Sequence, residues 1–288
     1  MTGGRNKYLV SSLLLAVTAI WGGSFVIMKD ALHRIDVNSF LGWRFLIATI
    51  VMAALKPKAL THIRGKFLLK GVVVGVLLGG GYIFQTFGLT QTSVAKTGFI
   101  TGLYAIFTPL IAATVFKGRI STLQWSATAL AFGGLISLSL NGISIGIGPL
   151  LVLVSAILFA AHILALGEWS SGMDTYALTL IQMGMVSLVS FGASLTTKME
   201  TPHDWGVWRA ILFTAIFASA FAFLVQTWTQ SFMTPTAVGI LLTAEYIFAA
   251  VFGVIYAHEH MGIRTLIGGA LVITAMVVVI TSEDKISS

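Results

Sequence analysis

Cysteine is absent from this 288-residue chain, which excludes a disulfide framework and any thiolate-held metal. Charge is nearly as scarce. Asp, Glu, Lys and Arg make up 9% of the residues, against about 25% in soluble domains. Long polar connections are missing too, so no soluble partner module is expected. Strand-like alternation of apolar and polar residues is absent from runs such as LLKGVVVGVLLGG. That excludes a closed transmembrane β-barrel. The zinc-hydrolase pattern H-E-x-x-H does not occur, and no cluster of embedded acids or histidines suggests a metal.

What is present is hydrophobicity. Apolar residues are 57% of the chain and glycines number 30; the mean hydropathy is +0.94. Small residues let helices approach closely in lipid. The formal charge of +7 does not imply nucleic acid, because the basic residues cluster between apolar segments. Arg5 and Lys7 followed by LVSSLLLAVTAI imitate a signal peptide. The run continues past Trp21 to Met28, so it is read as a retained helix.

A bilayer core of about 30 Å needs roughly 20 apolar residues per helix. The sequence predicts ten spans: 9–28, 40–55, 67–86, 97–116, 124–140, 148–166, 175–195, 208–227, 236–256 and 265–281. With both termini cytoplasmic, ten Lys and Arg fall inside, from Arg5 through the KPKALTHIRGKFLLK loop to Lys117, Arg119 and Lys285. Six fall outside: Lys29, Arg34, Lys96, Lys198, Arg209 and Arg264. The positive-inside rule favours that orientation, and a bacterial inner membrane is the expected location.

LTQTSVAKTGFITG begins at Leu89 and WTQSFMTPTAVGIL at Trp228, an offset of about 139 residues. Residues 1–144 and 145–288 therefore read as two five-helix repeats, inverted because five is odd. Such repeats place substrate near the midplane. The expected fold is all-α and integral to the membrane, with ten helices around a central cavity.

Four segments carry a family resemblance. AIWGGSFVIMK (19–29), GWRFLIA (42–48), TGFITGLYAIFTPLIAA (97–113) and LLTAEYIFAAVFGVIYAHE (241–259) resemble the first, second, fourth and ninth helices of EamA-type drug/metabolite transporters. The resemblance implies the same inverted ten-helix fold and the export or facilitated passage of small metabolites, amino acids and aromatic ones among them. There are departures. Tyr246 follows Glu245 where proline is frequent, Arg119 stands where glutamate is common, and Phe159 replaces a frequent tryptophan. Pro109 and Glu259 match the pattern.

Seven residues are candidate substrate contacts: Trp21, Tyr82, Gln85, Tyr104, His162, Gln182 and Glu245. Glu245 is the one acid deep in a span, where charge is costly and usually functional. It can bind an ammonium group or a proton, serve structurally, or pair with Arg44 or Lys29. His162 can meet a carboxylate or bridge two helices. The phenols and amides can fix a polar ligand or join helices, the commoner role. Phe213, Phe217, Phe221 and Trp228 form one stripe, read as lipid-facing or core in preference to a substrate route. Gly71, Gly75 and Gly79, with Gly98 and Gly102, mark close packing faces. No cofactor is implied. The expected partners are a small-molecule substrate and the bilayer, not nucleic acid, with a monomer or a homodimer as the state. A passive channel, or an intramembrane enzyme using Glu245 and His162, is the alternative to alternating-access transport.

Overall fold

The computed structural model describes residues 4–92, 94–115, 117, 120–139, 146–257 and 263–282. Arg119, Glu259 and Lys285 lie outside the described residues. The described residues form helices and connections, with no strand among them. In chain order these are α1 Gly4–Ala31, α2 Val37–Leu55, α3 Gly65–Gln91, α4 Val94–Gly102, α5 Tyr104–Thr114, α6 Thr122–Ser139 and α7 Ile147–Ser170. Then follow α8 Thr175–Ser194, α9 Trp205–Ala215, α10 Ala222–Thr229, α11 Pro235–Leu242, α12 Ala244–Ala257 and α13 Ile263–Ser282. A 3₁₀ turn, Pro57–His62, precedes α3, and a π-helical stretch, Ile216–Phe221, joins α9 to α10.

Six apolar stretches are long enough to cross a membrane unaided: Tyr8–Ala31, Val37–Leu55, Gly65–Gln91, Ile147–Ser170, Thr175–Ser194 and Trp205–Thr229. Shorter apolar stretches occupy Ile100–Thr114, Pro235–Ala249 and Leu266–Val278. The long helices overrun the expected bounds, because polar residues that hydropathy excludes still continue the helical turn. Asp36, Asp174 and Asp204 start α2, α8 and α9 by accepting from the main-chain N–H of Ser39, Ala177 and Val207. Such caps satisfy donors that a helix start leaves open.

Two expected spans are broken. The fourth divides at Leu103 and the ninth at Thr243, each marked by bonds to the carbonyl three residues back (Leu103 N–H to Ile100 O, Thr243 N–H to Ile240 O; both 3.1 Å). Pro109 disturbs the fourth, since proline removes a donor and crowds the preceding turn. The ninth breaks without a proline. There the Thr243 hydroxyl also donates to Ile240 O, at 2.6 Å, in the back-bonding that often bends helices. Tyr246 in place of proline therefore does not straighten this segment.

Large apolar side chains cover the outside: Ile50, Leu69 and Leu188 are more than half exposed. Buried positions include Arg44, His162, Gln182 and many Ser and Thr. This arrangement suits lipid, which rewards close packing rather than burial of hydrophobes. The glycine ridge of α3 shows it. A Cβ on Gly71 would stand 2.7 Å from Ile181 Cδ1, and one on Gly75 2.5 Å from Met185 Cβ, so this ridge seats α8. Gly81 and Gly88, on another face of α3, meet Phe159 and Val152 of α7. Gly98 meets the Tyr246 ring of α12.

At one end of the bundle the α1–α2 and α8–α9 connections are tied together. Arg34 pairs with Asp204 at 2.7 Å and with Asp30. Glu200 accepts from the Asp36 N–H at 2.8 Å, and its carbonyl accepts from Trp43 Nε1 at 3.0 Å. At the other end Asp174 meets His62 at 3.0 Å and Lys56 at 3.5 Å.

Candidate functional site

A cavity lies within the helices. Its empty volume is about 540 Å³, of which about 50 Å³ can be occupied by the centre of a water-sized sphere. That is room for about three or four waters. Helical spacing explains the lining. Trp21, Ser24, Phe25 and Met28 share one face of α1, and Leu78, Tyr82 and Gln85 share one face of α3. Phe159, His162 and Ile163 come from α7, while Phe223 and Gln226 come from α10. Thr101, Tyr104 and Leu242 flank the two helix breaks, and Glu245 follows the second.

The π-helical stretch anchors two lining side chains. A π turn pairs each N–H with the carbonyl five residues back, and such turns recur at functional sites. Here the Ala218 carbonyl accepts from Trp21 Nε1 at 2.8 Å and from an Arg44 Nη2 hydrogen at 3.0 Å. Arg44 also donates from Nε to Ser219 Oγ at 2.7 Å and from Nη1 to Met28 Sδ at 3.3 Å. Its guanidinium carbon lies 4.9 Å from the Phe45 ring centroid and 5.0 Å from that of Tyr82. Cation–π contact strengthens when desolvated, and Arg44 is 1% exposed. These bonds engage three of the five N–H groups a guanidinium carries, and the Tyr82 side chain is a further hydrogen-bond partner.

Aromatic rings make the wall continuous. Tyr82 lies edge-on to Phe45, Phe159 and Phe223, with centroids 5.0, 5.5 and 5.9 Å away. Phe223 also meets Trp21 at 5.2 Å and the His162 ring at 6.3 Å. Gln85 donates to Thr101 Oγ1 at 3.1 Å, bridging α3 to α4.

Six of the seven candidates, Trp21, Tyr82, Gln85, Tyr104, His162 and Glu245, line this one cavity. Gln182 does not. It sits behind His162, with its Oε1 2.9 Å from His162 Nε2 and its Nε2 donating to Thr227 Oγ1 at 3.2 Å. Glu245 is 7% exposed. Among the described residues its side chain forms no hydrogen bond or ion pair, and so no pair with Lys29. Arg44 lines the same cavity and interacts with Glu245 electrostatically without forming a salt bridge. The site therefore brings a guanidinium and a carboxyl group to one small space without a direct bond between them.

Sequence reasoning singled out Arg44 as an embedded charge but did not select it. It missed Phe223 altogether, because the aromatic stripe drew attention to other faces. Phe213, Phe217 and Phe221 are 37%, 46% and 42% exposed and lie on the outer surface.

Comparison with known proteins is consistent along the chain. An uncharacterized transporter of Archaeoglobus fulgidus is 31% identical over 277 residues, covering 95% of this chain and 86% of that protein. A probable amino-acid metabolite efflux pump of Salmonella typhimurium is 26% identical over 245 residues, covering 69% and 77%. One crystal structure matches with a TM-score of 0.79 at 14% identity, over 96% of this chain and 99% of that one, a likeness of fold. The model of the EamA-like transporter family matches twice, at residues 9–140 and 146–281. With nearly the whole chain so matched, this multi-pass membrane protein belongs to the EamA-like transporter family, within the drug/metabolite transporters.

Proposed function

We propose that this transporter moves small zwitterionic metabolites, amino acids with neutral or aromatic side chains foremost, by alternating access. One observation carries the substrate class: Arg44 and Glu245 line the same cavity and do not bind each other. A zwitterion offers a carboxylate to the guanidinium and an ammonium group to the carboxylate. Charge-assisted bonds of that kind are the strong ones. The aromatic wall suits an apolar or aromatic side chain. The relative described as an amino-acid metabolite efflux pump points the same way.

The two-repeat reading has independent support. The family model matches each half once. The packing also survives exchange of the halves. α1 packs on α12 as α7 packs on α5, and α3 packs on α7 as α9 and α10 pack on α1. α2 meets α8, and α6 meets α13. Two five-helix halves, 1–144 and 145–288, of opposite polarity then surround the cavity. The space is contracted, so an amino acid enters only after helices separate toward one side. Substrate drives that change through contacts that differ between states.

Proteoliposome uptake tests the function. Saturable entry of a labelled neutral amino acid, competed by others of its class and not by sugars or nucleotides, is expected. Failure to transport any amino acid overturns it. The cysteine-free sequence makes the topology test clean. With both termini cytoplasmic in a bacterial inner membrane, a cysteine at Thr90 is labelled from outside and one at Phe232 only from inside. Labelling of both from one side ends the inverted arrangement.

A further inference from the structure

We propose that the side-chain carbonyl of Gln226 reads the ammonium group of the substrate, in an orientation that Gln230 imposes. The inference rests on the amino-acid reading above and adds the direction in which the substrate lies.

The orientation follows from what each partner can do. Ile163 O is a main-chain carbonyl and can only accept. Gln230 Nε2 lies 2.8 Å from it, so the NH₂ end of Gln230 points there. Gln230 Oε1 then faces Gln226 Nε2 at 3.2 Å. An amide oxygen only accepts, so Gln226 is held to present its NH₂ to Gln230. Its own Oε1 is left over. That oxygen is buried with no hydrogen-bond partner among the described residues, on a residue that lines the cavity and is 2% exposed. A buried acceptor without a donor is destabilising, and such groups call for an explanation. A ligand N–H supplies one; a ligand carboxylate cannot.

The neighbouring wall obeys the same logic. Gln182 Nε2 donates to Leu178 O and Thr227 Oγ1, at 3.4 and 3.2 Å. Its oxygen therefore meets His162 Nε2, which carries the ring proton. A neutral imidazole then keeps Nδ1 as an acceptor. The α7 and α10 wall is thus acceptor-rich, whereas Arg44 of α2 offers only donors. The substrate lies with its carboxylate toward Arg44 and its ammonium group toward Gln226. Gln230 and Gln182 are positioning residues.

The test uses the full chain in proteoliposomes. A labelled amino acid at tracer concentration is competed with the unlabelled amino acid and with the same acid lacking its amino group. Wild type is expected to prefer the amino acid. Q226L should raise the half-inhibitory concentration of the amino acid about tenfold, the worth of one hydrogen bond to a charged group, and leave the deaminated acid unchanged. Q230L should act in the same direction, since Gln226 is then free to turn; it serves alone where Q226L does not fold. Equal weakening of both competitors, or no change for either, overturns the inference while the transport reading stands. Wild type that takes up no amino acid overturns both.

Discussion

The main-chain oxygen of Glu245 stands 2.6 Å from the position a Cβ on Gly22 would take. Ala249 N and Phe248 Cβ are nearly as close, at 2.8 and 2.9 Å. α1 and α12 thus touch backbone to backbone at the level of the embedded carboxylate. Main chain cannot swing aside as a side-chain tip can. Gly22→Ala is expected to cost about 1–3 kcal/mol through overpacking, read as a lower thermal midpoint in detergent. Gly79→Ala is the control. Its nearest neighbour would be Val186 Cα at 3.4 Å, an ordinary contact. Equal midpoints for both variants would show that α1 and α12 do not meet this closely.

Glu245→Gln should separate function from folding. No hydrogen bond or ion pair among the described residues depends on the carboxylate, and glutamine has nearly the same shape. Folded yield should match wild type, while amino-acid uptake falls about ten- to a hundredfold with loss of a charged acceptor. Collapsed yield with normal uptake in the surviving protein would make Glu245 structural.

Phe223 and Phe217 occupy one continuous span but opposite environments. Phe223 is 3% exposed and touches Trp21, Tyr82 and His162, whereas Phe217 is 46% exposed. Phe223→Leu should raise the KM of aromatic substrates about threefold to tenfold, the worth of one lost ring contact. Phe217→Leu should leave uptake unchanged. Uptake kinetics for the two variants side by side decide it, and a reversed order would place the substrate route on the outer face.

Asp174 predicts a pH dependence at the end of the bundle. Burial pushes its carboxyl up, but the Ala177 N–H, Lys56 and His62 outweigh that and hold it below the ordinary value. The folded value is below the unfolded one, so the stabilisation is complete above the ordinary aspartate value of about 3.9. It is lost as pH falls through the lower, folded-state value. Asp174→Asn keeps the helix cap and removes the charge. The midpoint difference from wild type should hold above pH about 5 and vanish in stronger acid. Asp174→Ala also removes the cap and should cost about 1 kcal/mol more. A difference undiminished in stronger acid would contradict the charge account.

Much of this molecule is legible without coordinates. Scarce charge, apolar runs without strand-like alternation and glycine spacing at 71, 75 and 79 specify packed helices in lipid, because only a helix or a closed barrel satisfies its main chain there and a barrel needs the alternation. Glu245 and Arg44 stand out for the same reason: a charge in such a run needs a polar setting. The face that each helix turns inward is another matter. In water, hydrophobic periodicity marks the buried side. In a bilayer both sides are apolar, so Phe217 and Phe223 look alike in sequence and only packing separates them. Gln182 and Gln226 are likewise the same amide in similar company, yet one supports His162 and the other lines the cavity. The π-helical stretch and the locked amide of Gln226 engage partners distant in the chain, such as Trp21, Arg44 and Ile163. Those contacts exist only after the helices assemble, so tertiary structure alone decides them.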